Sequence, residues 1–266
     1  MLLAIDIGNS NISIGVFDRD ELVLKAKIAA KTERSADEYA ALLYDLFRLH
    51  GVPQQKITAG ILSSVVPTLT GLVENAARTV ANVPIYRVGP GIRTGFRIRI
   101  DNPSQLGGDL VADTLAVLTD YGPPAVLIDA GTVTTIAAID SGRTYLGGCI
   151  LPGLRRSAGL LQETAALLPP IDLAEHDSAC LGRNSVDAMR YGLLLGSAMM
   201  VDGFIERYRT LPGMAGAQCV ATGGSAQLVT AHCRQAITQD ADLTLKGLRY
   251  LYEASCSQNS KNSDRR

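Results

Sequence analysis

The sequence predicts an α/β protein made of two like domains, and three observations carry that prediction. Short apolar runs of strand type alternate with long stretches whose apolar residues recur at helical spacing. "IDIGNSN" at 5–11 and "IDAGTVT" at 128–134 share one scheme: an apolar strand, Asp, any residue, Gly, then hydroxyl or amide side chains entering a second strand. Each copy opens three consecutive strands followed by helices, and two copies on that scale describe paired domains, not a solenoid. With 266 residues the chain can bury two cores. The boundary is placed near residue 118, giving domains over 1–118 and 119–256 and a polar tail over 257–266, "SQNSKNSDRR", expected to be disordered.

Taken in order, "LLAIDIG" is a short apolar strand ending in Asp6 and Gly8. "NISIGVFD" alternates as a second strand, "DRD" turns, and "ELVLKAKIAA" is a third. Residues 35–50 have helical periodicity, with Ser35 as N-cap, Glu38 completing a capping box and Gly51 stopping the helix. "AGILSSVV" is a buried strand, and Pro67 opens the helix "PTLTGLVENAARTVA". "GPGIRTGFRIRIDNP" is a Gly/Pro-punctuated connection with an extended centre, and a helix starts in "LGGDLVAD" at 106–113. The second half repeats the plan with strands "AVLIDAG", "TVTTIAAID" and "TYLGGCIL". Helices are expected near 153–168 and 185–209, then the strand "QCVATGG" and a last amphipathic helix in "DLTLKGLRYLYEAS".

Composition narrows the function. Lys and Arg number 25 against 26 Asp and Glu, so there is no electrostatic footprint for nucleic acid. Tryptophan is absent and only four Phe are present, so no aromatic platform for stacking bases is visible. The N-terminus lacks a basic region and cleavage site, and no uncharged apolar run is long enough to span a bilayer. A cytoplasmic protein with no membrane partner is expected. The five cysteines are scattered and form no C-x-x-C pair, which reads as free thiols in a reducing compartment.

The two Asp-x-Gly turns carry the chemistry. Each places a carboxylate at a strand end, and Gly8 and Gly131 let main-chain N–H groups approach an anion closely. Asn9, Ser10 and Asn11 add donors in the first turn, as Thr132, Thr134 and Thr135 do in the second. Such turns suit phosphate oxygens, and their carboxylates suit a hard cation. A single Asp-x-Gly is commonly an ordinary hairpin turn; two at the head of the same strand pattern argue otherwise. The helix-forming G-x-x-x-x-G-K-[ST] loop is absent. In "LGGDLVAD", Asp109 and Asp113 stand one turn apart, where like charges repel by about 0.2–0.5 kcal/mol. Asp109 is either a helix-start carboxylate favoured by the helix dipole or a base with a substrate lying against the bare backbone of Gly107 and Gly108. Asp113 reads as solvated or paired.

The paired turns resemble those of the acetate and sugar kinase, heat-shock ATPase and actin superfamily. Within it, "DIGNSN", "SADEYA", "SSVVPTLT", "GPGIRTG", "DNPSQLGGD", "IDAGTVTT", "YLGGCILPGL", "GRNSVDAM", "GLLLGSAMMVDG" and "VATGG" occur in the order of the type III pantothenate kinases, across nearly the whole chain. The resemblance implies two ribonuclease-H-like (actin-like ATPase) domains with an interdomain active-site cleft, usually in a homodimer. It also implies an ATP-dependent kinase acting on a small-molecule hydroxyl substrate with Mg²⁺ and a monovalent cation, K⁺ or NH₄⁺. By this resemblance Asp6, Gly8, Asn9, Ser10 and Asn11 form the first phosphate loop, and Gly131 and Thr132 contact ATP. Asp129 is the monovalent-cation ligand and Asp109 the catalytic base. Gly107, Gly108 and position 110 line the substrate side, Asn184 and Ser185 belong to a substrate-contacting segment, and "VATGG" lies near the adenosine.

The sequence departs from the family on the substrate side. Where the family reads "GADR" this chain reads "GGDL", so Leu110 replaces an arginine that would help bind a carboxylate. Ile100 replaces a tyrosine, Asp113 stands where Asn is common, and Ser185 replaces Thr but keeps a hydroxyl. Arg93 is a possible source of compensating charge. The alternatives this raises are a kinase for another hydroxyl compound, such as a nucleoside, and a non-catalytic nucleotide-binding regulator. Retention of Asp6, Asp109 and Asp129 argues against the regulator.

Overall fold

The computed structural model describes residues 1–165, 167–174 and 179–263. The chain divides into two compact units: Met1–Gly95 with Asn102–Ala116 and Leu243–Arg266, and Phe96–Asp101 with Val117–Asp242.

The first unit is built on β1 (Leu2–Ile7), β2 (Asn11–Asp18), β3 (Glu21–Ala29), β4 (Ala59–Ser64) and β5 (Ile85–Arg87). Their spatial order is β3-β2-β1-β4-β5. The first three form an antiparallel meander, whereas β4 runs parallel to β1 and β5 parallel to β4. β1 is central and buried on both faces, which is why "LLAI" is continuously apolar. Helix α1 (Ala36–Leu49) starts at the capping box read from the sequence: the Ser35 hydroxyl accepts from the Glu38 N–H, and the Glu38 carboxylate accepts from the Ser35 N–H. α2 (Pro67–Ala81) carries Pro at its first position. Leu3, Ile5, Ile7, Ile12, Ile14, Tyr39, Leu43, Phe47, Leu69 and Val73 close this core.

Glu74 on α2 is buried and held by Arg78 and Arg87, the latter on β5. Burial alone would raise its carboxyl pKa, but the two guanidiniums outweigh it and hold it below the usual glutamate range. A depressed carboxyl contributes stability above its unfolded pKa of about 4.3 and loses it as pH falls through the folded value. Acid melts should therefore show wild type losing its advantage over Glu74→Gln as the pH drops below about 4; a constant gap between the two would contradict this.

The second unit repeats the plan. β6 (Arg97–Ile98) is followed by β7 (Ala125–Ala130), β8 (Val133–Ile139), β9 (Thr144–Pro152), β10 (Gln218–Thr222) and β11 (Thr238–Gln239), in the order β11-β10-β7-β8-β9-β6. β7-β8-β9 is the antiparallel meander, with β10 parallel to β7 and β11 parallel to β10. Without the added edge strand β6, this is the order of the first sheet, so the echo seen in the sequence is an echo of topology. Between the strands lie α3 (Gly108–Asp120), α4 (Leu154–Thr164), α5 (Ser185–Arg209) and α6 (Ala226–Thr230); α7 (Leu243–Ser263) ends the described chain. Val126, Ile128, Ile136, Leu194, Val201, Ile205 and Val229 belong to the second core.

Two boundaries differ from those the sequence predicts. α3 runs through residue 118, and α7 belongs to the first unit, not the second. α7 packs on β1, β2 and β4, and Gly247 crosses α3 so closely that a Cβ there would lie 2.0 Å from the Ala112 carbonyl oxygen. The helix also continues through Ser263, into the stretch expected to be disordered; residues 264–266 lie outside the described residues. The helix expected over 153–168 ends at Thr164.

Candidate active site residues

Each unit presents an aspartate at the end of its central strand, flanked by hydroxyl residues on the neighbouring strands. Asp6 pairs in register with Ser13 on β2 and Ser63 on β4. Asp129 pairs with Thr135 on β8 and Thr222 on β10. Paired residues on adjacent strands project to the same face. The two turns that follow each close on the N–H of their glycine but differ in length, residues 8–11 in the first and 131–133 in the second. The Gly8 N–H donates to the Asn11 carbonyl at 2.9 Å, and the Gly131 N–H to the Val133 carbonyl at 3.0 Å. Asn9, Ser10 and Asn11 are exposed on the first turn.

Asp109 sits in the first unit at the start of α3. Its Oδ1 accepts from the Leu110 N–H at 2.8 Å and curls back over Gly107, where a Cβ would lie 2.3 Å from that oxygen. Gly108 rests on Ser63: a Cβ there would lie 2.8 Å from Ser63 Oγ and 3.0 Å from Val88 Cγ1. The two glycines thus let a helix start close on the end of β4 and leave space around the carboxylate. Burial raises the Asp109 pKa, partly offset by the Leu110 and Asp109 amides. A carboxylate whose pKa is lifted toward neutrality is a better proton acceptor at working pH. Asp113, one turn on, is buried in the interior, not solvated.

The second unit gathers Asp129, Gly131 and Thr132 against two further glycines, Gly153 and the Gly223 of "VATGG". A Cβ on Gly153 would lie 2.6 Å from the Gly131 carbonyl oxygen and 2.4 Å from that of Thr132. Gly153 is also the N-cap of α4, so the unsatisfied N–H groups of that helix start beside the turn. Sequence reasoning missed Gly153, because its neighbours on the Gly131 turn are about twenty positions away. A Cβ on Gly223 would lie 2.6 Å from Asp129 Oδ1, and the Ser225 N–H donates to the Ala130 carbonyl at 2.8 Å. The donors here are all oxygens, and the described residues hold no group of three or more His, Cys, Asp or Glu able to cage a metal. An oxygen donor set suits a hard cation rather than a soft one.

Of the other predicted residues, Ile100 lies in the second unit beside Gly147, where a Cβ would be 3.6 Å from Ile100 Cγ2. Asn184 is the N-cap of α5, with its oxygen accepting from the Asp187 N–H and its amide donating to the Asp187 carboxylate. Ser185 is the exposed first residue of that helix. The five cysteines are free thiols, and burial pushes those of Cys219 and Cys233 up, the latter to about 12. No described helix is long and apolar enough to cross a membrane.

Solved structures with this architecture include a Baf-family protein from Campylobacter jejuni, 20% identical, at a TM-score of 0.61 over 96% of this chain and 99% of that one. Component A of (R)-2-hydroxyglutaryl-CoA dehydratase from Acidaminococcus fermentans, 14% identical, aligns at 0.52 over 94% and 96%. These likenesses concern the fold, which is that of the actin-like ATPases. Sequence carries the relationship further. The profile of the type III pantothenate kinases matches residues 2–207. A type III pantothenate kinase from Rubrobacter xylanophilus is 38% identical over 97% of this chain and 99% of its own length. With the fold, both aspartate turns and the Asp109 helix start in place, the chain belongs to the type III pantothenate kinase family.

Proposed function

We propose that this protein transfers the γ-phosphoryl group of ATP to pantothenate, giving 4′-phosphopantothenate, the first step of coenzyme A biosynthesis. The observation that carries the reading is Asp109: a partly buried carboxylate with a raised pKa, on a glycine-lined helix start, in the same unit as the Asp6 turn. In this reading Asp109 takes the proton of the acceptor hydroxyl as its oxygen attacks phosphorus. Phosphoryl transfer otherwise needs positioning and charge neutralisation. The Gly8–Asn11 turn holds phosphate oxygens, and the Asp6 carboxylate would hold the Mg²⁺ that accompanies them, directly or through water; Gly131, Thr132 and the start of α4 hold other phosphate oxygens. Asp129 binds the monovalent cation, K⁺ or NH₄⁺. Mg²⁺, bound with the nucleotide, neutralises charge on the phosphates. A cytoplasmic homodimer is part of the same proposal. It is supported by α5, whose outer face carries Met199 and Met200 at 62% and 43% exposure beside exposed Gly192 and Gly203.

The test is ATP consumption with Mg²⁺ and K⁺ or NH₄⁺ over a panel of hydroxyl compounds. Turnover should be greatest with pantothenate but weak, because Leu110 offers apolar area where a guanidinium would meet the carboxylate. A nucleoside that clearly outperforms pantothenate would overturn the substrate, and ATP binding without any turnover would favour a regulator. Leu110→Arg sharpens the question. A charge-assisted hydrogen bond is worth about 1.5–3 kcal/mol, so kcat/KM for pantothenate should rise by about ten- to a hundredfold. An unchanged value would show that position 110 does not face the acceptor.

A further inference from the structure

Four residues line up in register across the first sheet: Ser63 on β4, Asp6 on β1, Ser13 on β2 and Lys27 on β3. Paired residues project to the same face, so the row ends at the sheet edge in a cation on the face that carries Asp6. The other face is occupied: Leu3, Ile5, Ile12, Ile14 and Leu24, which alternate with residues of the Asp6 face, are buried in the core that includes α1 and α2. On the Asp6 face, the next row away from the turn joins Ala4, Gly15 and Lys25, and α7 covers it at Gly15, where a Cβ would lie 3.0 Å from Leu245 Cδ1. The row of Asp6 lies nearer the Gly8–Asn11 turn, with Ser13 half-buried and Lys27 exposed. The Lys27 side chain has no hydrogen-bond or ion-pair partner among the described residues. An edge strand gains from a charge that discourages pairing with another chain, and Lys25 already supplies one on this face. The matching row of the second unit, Thr222, Asp129, Thr135 and Ile150, ends in an apolar side chain. The cation therefore belongs to the unit that holds Asp109.

We propose that Lys27 is a further phosphate-binding residue of the kinase: its ammonium group meets the outer phosphates of ATP from the β3 side of the Gly8–Asn11 turn. This rests on the reading of that turn as a phosphate loop. Lys27 stands two strands from Asp6, about 10 Å at the usual strand spacing, and a lysine side chain extends about 6 Å from its Cα. Its neighbours on the face, Ser13 across the ladder and Ala29 two residues on, are small, so the stem has room to lie toward the turn. β3 is fastened to that turn, because the Ala30 N–H donates to the Ser10 carbonyl at 3.1 Å. The outer phosphates are the ones concerned, since the γ-phosphoryl group has to come to the acceptor beside Asp109 in the same unit. A point charge there neutralises phosphate charge before and during transfer, which strengthens ATP binding more than it raises kcat.

The test compares Lys27→Gln, Lys27→Arg and Lys25→Gln with wild type. It reads dissociation constants for ATP and AMP with Mg²⁺, KM for ATP, kcat and melting temperature, at about 0.15 M salt, where exposed charges more than about 8 Å apart are largely screened. Wild type should prefer ATP to AMP. Lys27→Gln should bind ATP about tenfold more weakly, with KM for ATP raised by a similar factor and kcat changed less. Its affinity for AMP, which lacks the outer phosphates, and its melting temperature should stay at wild-type values. Lys27→Arg keeps the charge and should recover most of the ATP affinity. Lys25→Gln removes the same charge one row further from the turn and should bind ATP as wild type does. Undiminished ATP affinity in Lys27→Gln, with wild type still preferring ATP to AMP, would overturn the role of Lys27 alone. Wild type binding AMP as tightly as ATP would overturn the phosphate-loop reading itself. An equal loss in Lys25→Gln, or a loss in Lys27→Gln that extends to AMP or to the melting temperature, would mark a general effect of edge charge or packing and also refute the proposal.

Discussion

Asp109→Asn should abolish most turnover, by about 10²–10⁴ in kcat, and leave the fold and nucleotide affinity intact. The substitution is nearly isosteric, and the amide oxygen can still accept from the Leu110 N–H that Asp109 Oδ1 holds at 2.8 Å. What it removes is the ability to accept a proton. The expected stability change has the opposite sign to the usual loss on mutating a site. Burial raises the Asp109 pKa, so between the unfolded value of about 3.9 and the folded one the native state holds a proton that the unfolded chain has released. Stability falls as pH rises through that window, and at neutral pH the buried charge is a penalty that Asn does not carry. The variant should melt at or above the wild-type temperature. Wild-type kcat should fall on the acid side with a midpoint above the ordinary aspartate value, since only the deprotonated form accepts the proton. Asp109→Asn with unchanged kcat would remove Asp109 as the base. A lower melting temperature at neutral pH would show that the carboxylate is held by interactions stronger than its burial penalty.

Local features of this chain are legible because their causes are local. The Ser35–Glu38 capping box, the Pro67 helix start and the two Asp-x-Gly turns each depend on residues within a few positions of one another. The repeat of strand pattern in the two halves predicts the repeat of sheet order. Features set by register across distant strands are not legible. Nothing near Ser63 in sequence announces Asp6 and Gly108 as neighbours, and nothing near Thr222 announces Asp129. β5 and β11, three and two residues long, are too short to show a period. The pattern of α7 announces a helix but not the unit it joins, because an amphipathic pattern reveals an apolar face without saying which sheet it covers. Asp109 is intermediate. The glycines before it indicate that something passes close by; only the fold shows that one of those neighbours is Ser63.

Gly223→Ala should damage the second unit more than any other single methyl group at the site. Gly223 has φ +96, a backbone conformation that an L side chain adopts only with strain. Its Cβ would also lie 2.5 Å from the Ala130 carbonyl carbon, 2.6 Å from the Ala130 oxygen and 2.6 Å from Asp129 Oδ1. Two of those atoms are backbone of β7, locked by the pairing of Thr222 with Asp129 and by the Ser225 N–H donating to the Ala130 carbonyl. The new methyl therefore either forces β7 and β10 apart or pushes the Asp129 carboxylate off its position. Strain and overlap together should cost about 3 kcal/mol or more, read as a lower melting temperature. Affinity for a non-hydrolysable ATP analogue should fall, and the dependence on K⁺ or NH₄⁺ should weaken because Asp129 no longer holds its place. Gly224→Ala is the internal control for packing: a Cβ on this adjacent glycine would meet no atom within 4 Å, and its φ is not positive, so it should keep the wild-type melting temperature. If Gly223→Ala kept wild-type melting and nucleotide affinity, the turn after β10 would have to be free to move away from Asp129, and the assignment of that carboxylate to a nucleotide-linked cation would lose its structural support.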